Sequence, residues 1–414
     1  MNTQKPELLA PAGTLEKLKW AVAYGADAVY FGAEFGSLRS FAGNFTQDDA
    51  QTGLDYLHSA GKKGYVTLNI YPFSDEYDKL TTLAQQLDEM GADAFIVSDL
   101  GVLAELKKLN LSAALHISTQ ANTTSWQTIQ AYKELGAKRV NLARELSLEQ
   151  IQAMQTHLGD QIETEVFIHG AVCFSYSGRC AISDYMTGFR ANRGECKHPC
   201  RWQYALVEEK RPGEYLPVFE DERGLYFFNS KELALFEFLP PLAAAGVNSF
   251  KIEGRMKSVH YLAGVVKVYR EAIDAWYRDP QAFLVQEHWL TELAAISHRG
   301  YCTGFYFGDP NQTAANLDNL VLPGYRFVAQ VLGPAAHGGV KVRVKNKIAV
   351  GERVDVLSPG VAARRDAIRK ITDEYGISQP LAQPGSEVIV HLDTPPERMD
   401  LIRRPEEKEE TKAP

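Results

Sequence analysis

No run of about 18 apolar residues occurs in the chain, and mean hydropathy is −0.25, which argues against a membrane-spanning helix. The opening MNTQKPELLAPAG has no basic flank leading into an apolar core. It does not read as a secretory signal, and the cytoplasm is the expected compartment. Cysteine is scarce, five in 414 residues, too few for a disulfide scaffold. The glycine-rich dinucleotide fingerprint and the P-loop are both missing, so no nucleotide-cofactor motif is present. HExxH and GxSxG are missing too, although catalytic constellations can be assembled from residues far apart in sequence. Basic charge is not in excess: the formal net charge is −8, which globally discourages a binder of phosphate backbones.

What remains is an ordinary globular composition, 45% hydrophobic and 23% charged, at a length that suggests about two or three domains. Eight short apolar runs recur up to residue 254: ELLAP (7–11), AVYFG (28–32), YVTLNI (65–70), AFIVSD (94–99), ALHIST (114–119), RVNLAR (139–144), EVFIHG (165–170) and SFKIEG (249–254). Being nearly continuous rather than alternating, they suit strands buried on both faces of a parallel sheet. Helical patterns lie between them, such as 14–25 and 125–136, with Thr14 as a helix cap. Gly25, Gly91, Gly136 and Gly246 stand where helices should end. An α/β fold, a (β/α)8 TIM-like barrel, is the leading expectation, with an open doubly wound sheet as its competitor. The amphipathic stretch 257–277 would close the barrel.

Beyond about residue 320 the pattern changes to short alternating strands punctuated by Gly and Pro, which predicts a small all-β, barrel-like domain. The expected division is a barrel over 1–320 with a cysteine-rich insertion at 171–224, a β domain over 321–404, and a disordered acidic tail at 405–414. Charge follows this division: 321–404 is +4, the first 320 residues −10. The positive runs are KVRVKNK (341–347), Arg364–Arg365 with Arg369–Lys370, and Arg403–Arg404. They read as a solvated surface or as a nucleic-acid face.

Cys173, Cys180, Cys196 and Cys200 fall within 28 residues of a Gly-, Arg- and Asn-rich segment. Core packing does not explain that density, and disulfides do not suit a reducing compartment. A metal or iron–sulfur site is expected, and the irregular spacing leaves both a [4Fe–4S] cluster and zinc open. Phe174, Tyr176, Phe189 and Trp202 could shield a cluster or be plain core aromatics. The segment follows the seventh strand, at the end where barrel enzymes keep their chemistry. Cys302, apart from the others, reads as structural.

The run from Glu165 to Cys173, EVFIHGAVC, followed by Gly178-Arg179-Cys180, resembles the signature of the collagenase-like peptidases of unassigned catalytic type. PELLAPAG (6–13), SFKIEGRMKS (249–258) and SHRGYCTGFYFG (297–308) are similar to further blocks of that family, so the resemblance spans nearly the whole chain. It implies RNA or ubiquinone hydroxylation rather than proteolysis, with a [4Fe–4S] cluster on Cys173, Cys180, Cys196 and Cys200. The compact length looks most like the branch that hydroxylates tRNA uridine, implying 5-hydroxyuridine at the wobble position and prephenate, a small dicarboxylate, as hydroxyl source. Cys302 departs from the threonine expected in its block. A collagenase-like peptidase, or an iron–sulfur or zinc partner protein without activity of its own, are the alternatives.

Strand ends supply the remaining candidates: Glu34, Asn69, Asp99, His116 with Gln120, Asn141 with Arg144 and Glu145, His169, and Lys251, Glu253 and Arg255. The last three alternate and are expected to share one side of the final strand, where burial suits a satisfied ion-pair network as well as a substrate site. Lys251 and Glu253 are the catalytic candidates. Asn69, His116, Gln120, Asn141, Arg144 and Arg255 are the substrate-binding ones, the two arginines because guanidinium forks match the carboxylates of the implied donor. His116 and His169 read as hydrogen-bonded structural groups ahead of ligands.

Overall fold

The computed structural model describes residues 5–37, 44–173, 177–178, 180, 182–193, 195–199, 231–307, 324–335 and 339–405, with the backbone of four short stretches between 206 and 226. Each of the eight apolar runs forms a strand: β1 (Glu7–Pro11), β2 (Ala28–Gly32), β3 (Lys63–Leu68), β4 (Ala94–Val97), β5 (Ala114–Ile117), β6 (Ala137–Asn141), β7 (Glu163–Ala171) and β8 (Ser249–Ile252). All neighbours pair in parallel, and β8 pairs with both β7 and β1, which closes the barrel. The open-sheet alternative is thereby excluded. Helices α1 (Leu15–Ala23), α2 (Gln47–Ser59), α3 (Tyr77–Glu89), α4 (Leu100–Lys108), α5 (Trp126–Glu134) and α6 (Leu148–Leu158) alternate with the strands. Thr14 caps α1 by accepting from the Lys17 amide at 3.2 Å.

Alternation along the strands sorts side chains between two compartments. Leu9, Ala28, Tyr30, Tyr65, Ala94 and Ile96 cluster inside the barrel. Leu8, Val29, Phe31, Val66 and Phe95 face outward into the larger core shared with the helices. Several strands end two or three residues before the apolar run does, because the polar residues at the mouth leave the ladder for local bonds. Asp99, for example, caps α4 by accepting from the Val102 amide at 3.0 Å, and it also accepts the Tyr77 hydroxyl at 2.8 Å.

A register shift separates the pairs Lys251–Phe167 and Ile252–His169, so β7 carries an extra residue. One extra residue moves the subsequent side chains to the opposite face. His169 therefore points away from the barrel mouth, into a cage formed by Tyr261, Tyr269 and Tyr301. Beyond the bulge, a short strand at Glu232–Ala234 runs antiparallel to β7 and is joined by Tyr301–Cys302. The chain then passes through α8 (Leu239–Ala244), β8, α9 (Val259–Arg278) and α10 (Glu287–Ala294).

The C-terminal segment is all-β, with strands β9 (Tyr325–Pro334), β10 (Val340–Val344), β11 (Arg353–Leu357), β12 (Arg364–Ala367), β13 (Lys370–Thr372), β14 (Glu387–His391) and β15 (Leu401–Pro405). Every pairing among them is antiparallel, around a valine- and isoleucine-rich core. β15 includes Pro405, the first residue of the expected tail, and 406–414 lie outside the described residues. Among the described residues, no helix is long and apolar enough to cross a membrane.

The β domain docks on α1, α9 and α10. The Tyr24 hydroxyl reaches the carbonyls of Leu357 (2.9 Å) and Met399 (3.0 Å), and Lys267 of α9 donates to the Val361 carbonyl at 2.6 Å. Arg403 makes a buried bidentate pair with Glu292 of α10, at 2.8 and 2.7 Å. The expectation of Arg403–Arg404 as a surface basic cluster is thus corrected: Arg403 is interior, and Arg404 pairs with Glu352 at 2.8 Å. The other basic runs are also partly neutralised within the domain. Lys341 and Arg343 both engage Glu387, and Arg369 engages Asp393.

Arg403→Ala leaves Glu292 buried without its partner and should lower stability by about 3–5 kcal/mol, read as a lower urea midpoint. Arg403→Met combined with Glu292→Leu should recover most of the loss, since a packed apolar pair can replace a buried ion pair. An unchanged midpoint in the single variant would show that this pair does not hold the junction.

Candidate active site at the barrel mouth

The barrel interior holds a ladder of ions. Lys251 Nζ donates to Glu165 Oε1 at 2.8 Å, and the same oxygen accepts from Asn141 Nδ2 at 2.8 Å. Glu165 Oε2 lies 3.5 Å from Arg139 and accepts from Ser249 at 3.3 Å. Arg139 in turn holds Glu7 at 2.5 Å and Glu163 at 2.7 Å near the base of the barrel. Lys251 is buried, with the rings of Tyr30 and Phe167 at 4.4 and 5.6 Å. Burial loosens its hold on its proton despite the carboxylate beside it.

The mouth above Lys251 is cationic. The Arg144 guanidinium lies 3.9 Å from the centre of the Phe167 ring, close enough to Lys251 to weaken that lysine's charge. Among the described residues no carboxylate or carbonyl bonds it. Arg255 is buried and donates to Ser37 Oγ (2.6 Å), Asn44 Oδ1 (2.7 Å) and Thr67 Oγ1 (3.4 Å). Of Lys251, Glu253 and Arg255, only Lys251 lies on the final strand: β8 ends at Ile252, and Gly254, at φ +153°, turns the chain before Arg255. Glu253 sits half-buried on that turn, its amide bonded to the His169 carbonyl and its carbonyl accepting the Tyr261 hydroxyl.

The other candidates scatter. Asn141 is committed to Glu165 inside the barrel. Asn69 Nδ2 approaches Ser118 Oγ at 3.5 Å near the mouth. His116 is buried in the interior edge-on to Tyr65, and burial pushes its pKa well down. Glu34 is exposed and lines a cleft between α2 and α3, away from the ladder. Cys302 is buried, which raises its thiol pKa and suits a structural role.

The cysteine segment folds over this mouth. Glu145 accepts from the Ser177 amide at 2.9 Å. Gly178 (φ +73°) lies so close to the Gln120 carbonyl that an added Cβ would stand 2.0 Å from its oxygen. The same carbonyl accepts the Tyr71 hydroxyl at 2.6 Å, and Arg193 donates to the Tyr71 carbonyl at 2.9 Å. Cys173 is exposed, Cys180 and Cys196 are half-buried, and Cys196 Sγ lies 3.8 Å from His198 Nδ1. Soft thiolates suit iron–sulfur or zinc in donor chemistry, and Arg190, Arg193 and Lys197 supply positive charge nearby. Among the described residues no three potential ligands converge; Cys200, Phe174, Tyr176 and Trp202 lie outside the described residues. Phe189 is exposed rather than shielding a core.

Sequence reasoning passed over Glu165, Arg139 and Glu7, the ions on which Lys251 depends. The available signal was charge of both signs inside strand runs that are otherwise apolar.

Fold and site together define a (β/α)8 barrel whose mouth is lined by arginines, covered by a cysteine-bearing segment and followed by a docked β domain. The model of Peptidase family U32 matches residues 13–316, and that of the Peptidase family U32 C-terminal domain matches 323–403; the chain belongs to this family. It is 38% identical to tRNA hydroxylation protein P1 of Bacillus subtilis, over 90% of this chain and 88% of that one. It is 35% identical to tRNA hydroxylation protein P of Escherichia coli, over 94% of each chain. A protein named collagenase, from Porphyromonas gingivalis, is 31% identical over 74% of this chain and 75% of its own.

Burial pushes His169, and likewise His260 of α9, down to a pKa of about 3. Unfolded histidine takes its proton near pH 6.5, so between these values the folded chain binds fewer protons than the unfolded one. Stability is complete above pH 6.5 and falls as pH drops towards 3, by about 1.4 kcal/mol per pH unit for each histidine. His169→Gln should flatten the slope of urea-derived stability against pH; equal slopes in variant and wild type would contradict the assignment.

Proposed function

We propose that the chain is a tRNA hydroxylase that forms 5-hydroxyuridine at the wobble position, with prephenate as hydroxyl donor and a [4Fe–4S] cluster as cofactor. The observation that carries this reading is the match, over nearly the full length, to two relatives named tRNA hydroxylation protein. The mouth supports it. Replacing the C5–H of uridine by C5–OH is a two-electron oxidation, so an organic donor must leave two electrons more reduced. A dicarboxylate suits the guanidinium of Arg144 at that mouth. Lys251, held by Glu165, can exchange a proton below it, and Asn69 and Gln120 lie on the rim. An unpaired anticodon loop offers its bases without the cost of opening a duplex. Cys173, Cys180, Cys196 and Cys200 would hold the cluster, which supplies one-electron transfer when bound.

The Cys196–His198 approach, together with the relative named collagenase, favours a second reading as a thiol peptidase. Gelatin cleavage by the purified protein, lost in Cys196→Ala, would establish it.

Nucleoside mass spectrometry of a strain lacking the gene should show loss of wobble 5-hydroxyuridine where no redundant pathway exists; an unchanged level would sink the proposal. Restoring the gene as Arg144→Ala should leave that nucleoside reduced about tenfold or more, the scale of a lost charge-assisted bond. Protein purified without oxygen should be brown, with iron and sulfide in equal amounts, and Cys196→Ala or Cys200→Ala should remove the colour. Colourless protein holding zinc would overturn the cluster.

A further inference from the structure

Three exposed aromatic rings belong to the rim of the mouth and to the cysteine-bearing segment that packs on it. Tyr185 of α7 (Ile182–Thr187) is 88% exposed, Phe73 53% and Phe189 41%. Large rings left in water mark a contact surface rather than a core. Cations are interleaved with them: Arg193 and Arg190 lie 4.3 and 5.5 Å from the centre of the Phe73 ring, and Lys197 lies 4.5 Å from that of Phe189. The arrangement is braced, since Arg193 is held by Glu76 at 2.6 and 3.0 Å and by the Tyr71 carbonyl. Among the described residues no carboxylate pairs with the Arg190 guanidinium. The rim is also continuous with the candidate site, because Tyr71 bonds the Gln120 carbonyl at the mouth.

We propose that Phe73, Tyr185 and Phe189 form a stacking platform for unpaired bases of an RNA loop, with Arg190 and Lys197 against its phosphates and the Glu76-held Arg193 bracing the Phe73 ring. This rests on the RNA reading above and names the surface that reading requires. Aromatic faces interleaved with cations match single-stranded nucleic acid, whose bases stack in any sequence and whose backbone is anionic. The β domain, where sequence charge pointed, offers less, because Lys341, Arg343, Arg369 and Arg404 are bound to its own carboxylates.

The test is fluorescence anisotropy of the full chain with a labelled anticodon stem-loop, and with a fully paired duplex as control. Tyr185→Ala and Phe73→Ala should each weaken stem-loop binding about tenfold, while Tyr185→Phe and Phe73→Trp retain it and the melting temperature stays unchanged. Arg190→Gln should make binding less dependent on salt. Wild-type affinity in both alanine variants would overturn the platform and leave the hydroxylase reading standing, since that is judged separately by nucleoside profiling. Failure of the wild-type chain to bind the stem-loop would overturn the platform together with its RNA premise. A self-association or protein complex abolished by Tyr185→Ala, with RNA binding intact, would assign the rings to a protein interface and overturn the proposal.

Discussion

Glu165 is the residue on which the interior of the barrel depends. A buried carboxylate is costly to desolvate unless it is paired and hydrogen-bonded. Here it meets Lys251 and Asn141 on one oxygen, and Ser249 and Arg139 on the other. From mouth to base the signs alternate: Lys251, Glu165, Arg139, then Glu7 and Glu163. Each buried ion therefore has opposite charge beside it, and the ladder ends at a cleft of about 350 Å³ on the base of the barrel, where Lys63, Asp93, Lys138 and Asp160 meet water. Without the carboxylate, two cations would share an enclosed space, and Lys251 could not present a defined proton to the mouth.

Polar groups are thus segregated by task. Those below Phe167 neutralise one another, whereas among the described residues no carboxylate engages Arg144 above it. The cysteine segment is fixed to the same rim by main-chain packing at Gly178 and by the Glu145–Ser177 bond. That part of the segment and the mouth residues it packs on consequently form a single rim, although they come from different strands and loops.

The barrel was legible because its strands are buried on both faces and leave continuous apolar runs at regular intervals. Its closing helix was legible too, from amphipathic period. The cysteines were visible as a local excess in sequence. The ladder was not, because Glu7, Arg139, Glu165 and Lys251 are separated by up to 244 positions and meet only when the sheet closes. His169 takes the hydrogen-bonded structural place expected of it, but the cage that holds it was not legible: a single bulge residue inverts the face of the later side chains in its strand, and periodicity carries no mark of it. Charge counting over the β domain misled in turn, since it cannot see that Arg403 is interior or that Glu387 serves two cations.

The junction has an asymmetry with an evolutionary consequence. Thirteen of the twenty residues of α9 are buried, and Leu357 and Leu401 of the β domain complete the barrel's own apolar cluster. The β domain keeps a separate core that borrows nothing from the barrel. Two modules in sequence are therefore one folding unit in only one direction. The smaller module can be gained, lost or transplanted with its interior intact, while the larger one, once adapted to it, is left with an open seam if they part. Recombination should respect that one-way dependence, so that barrels of this type change β domains only by exchanging the seam as well.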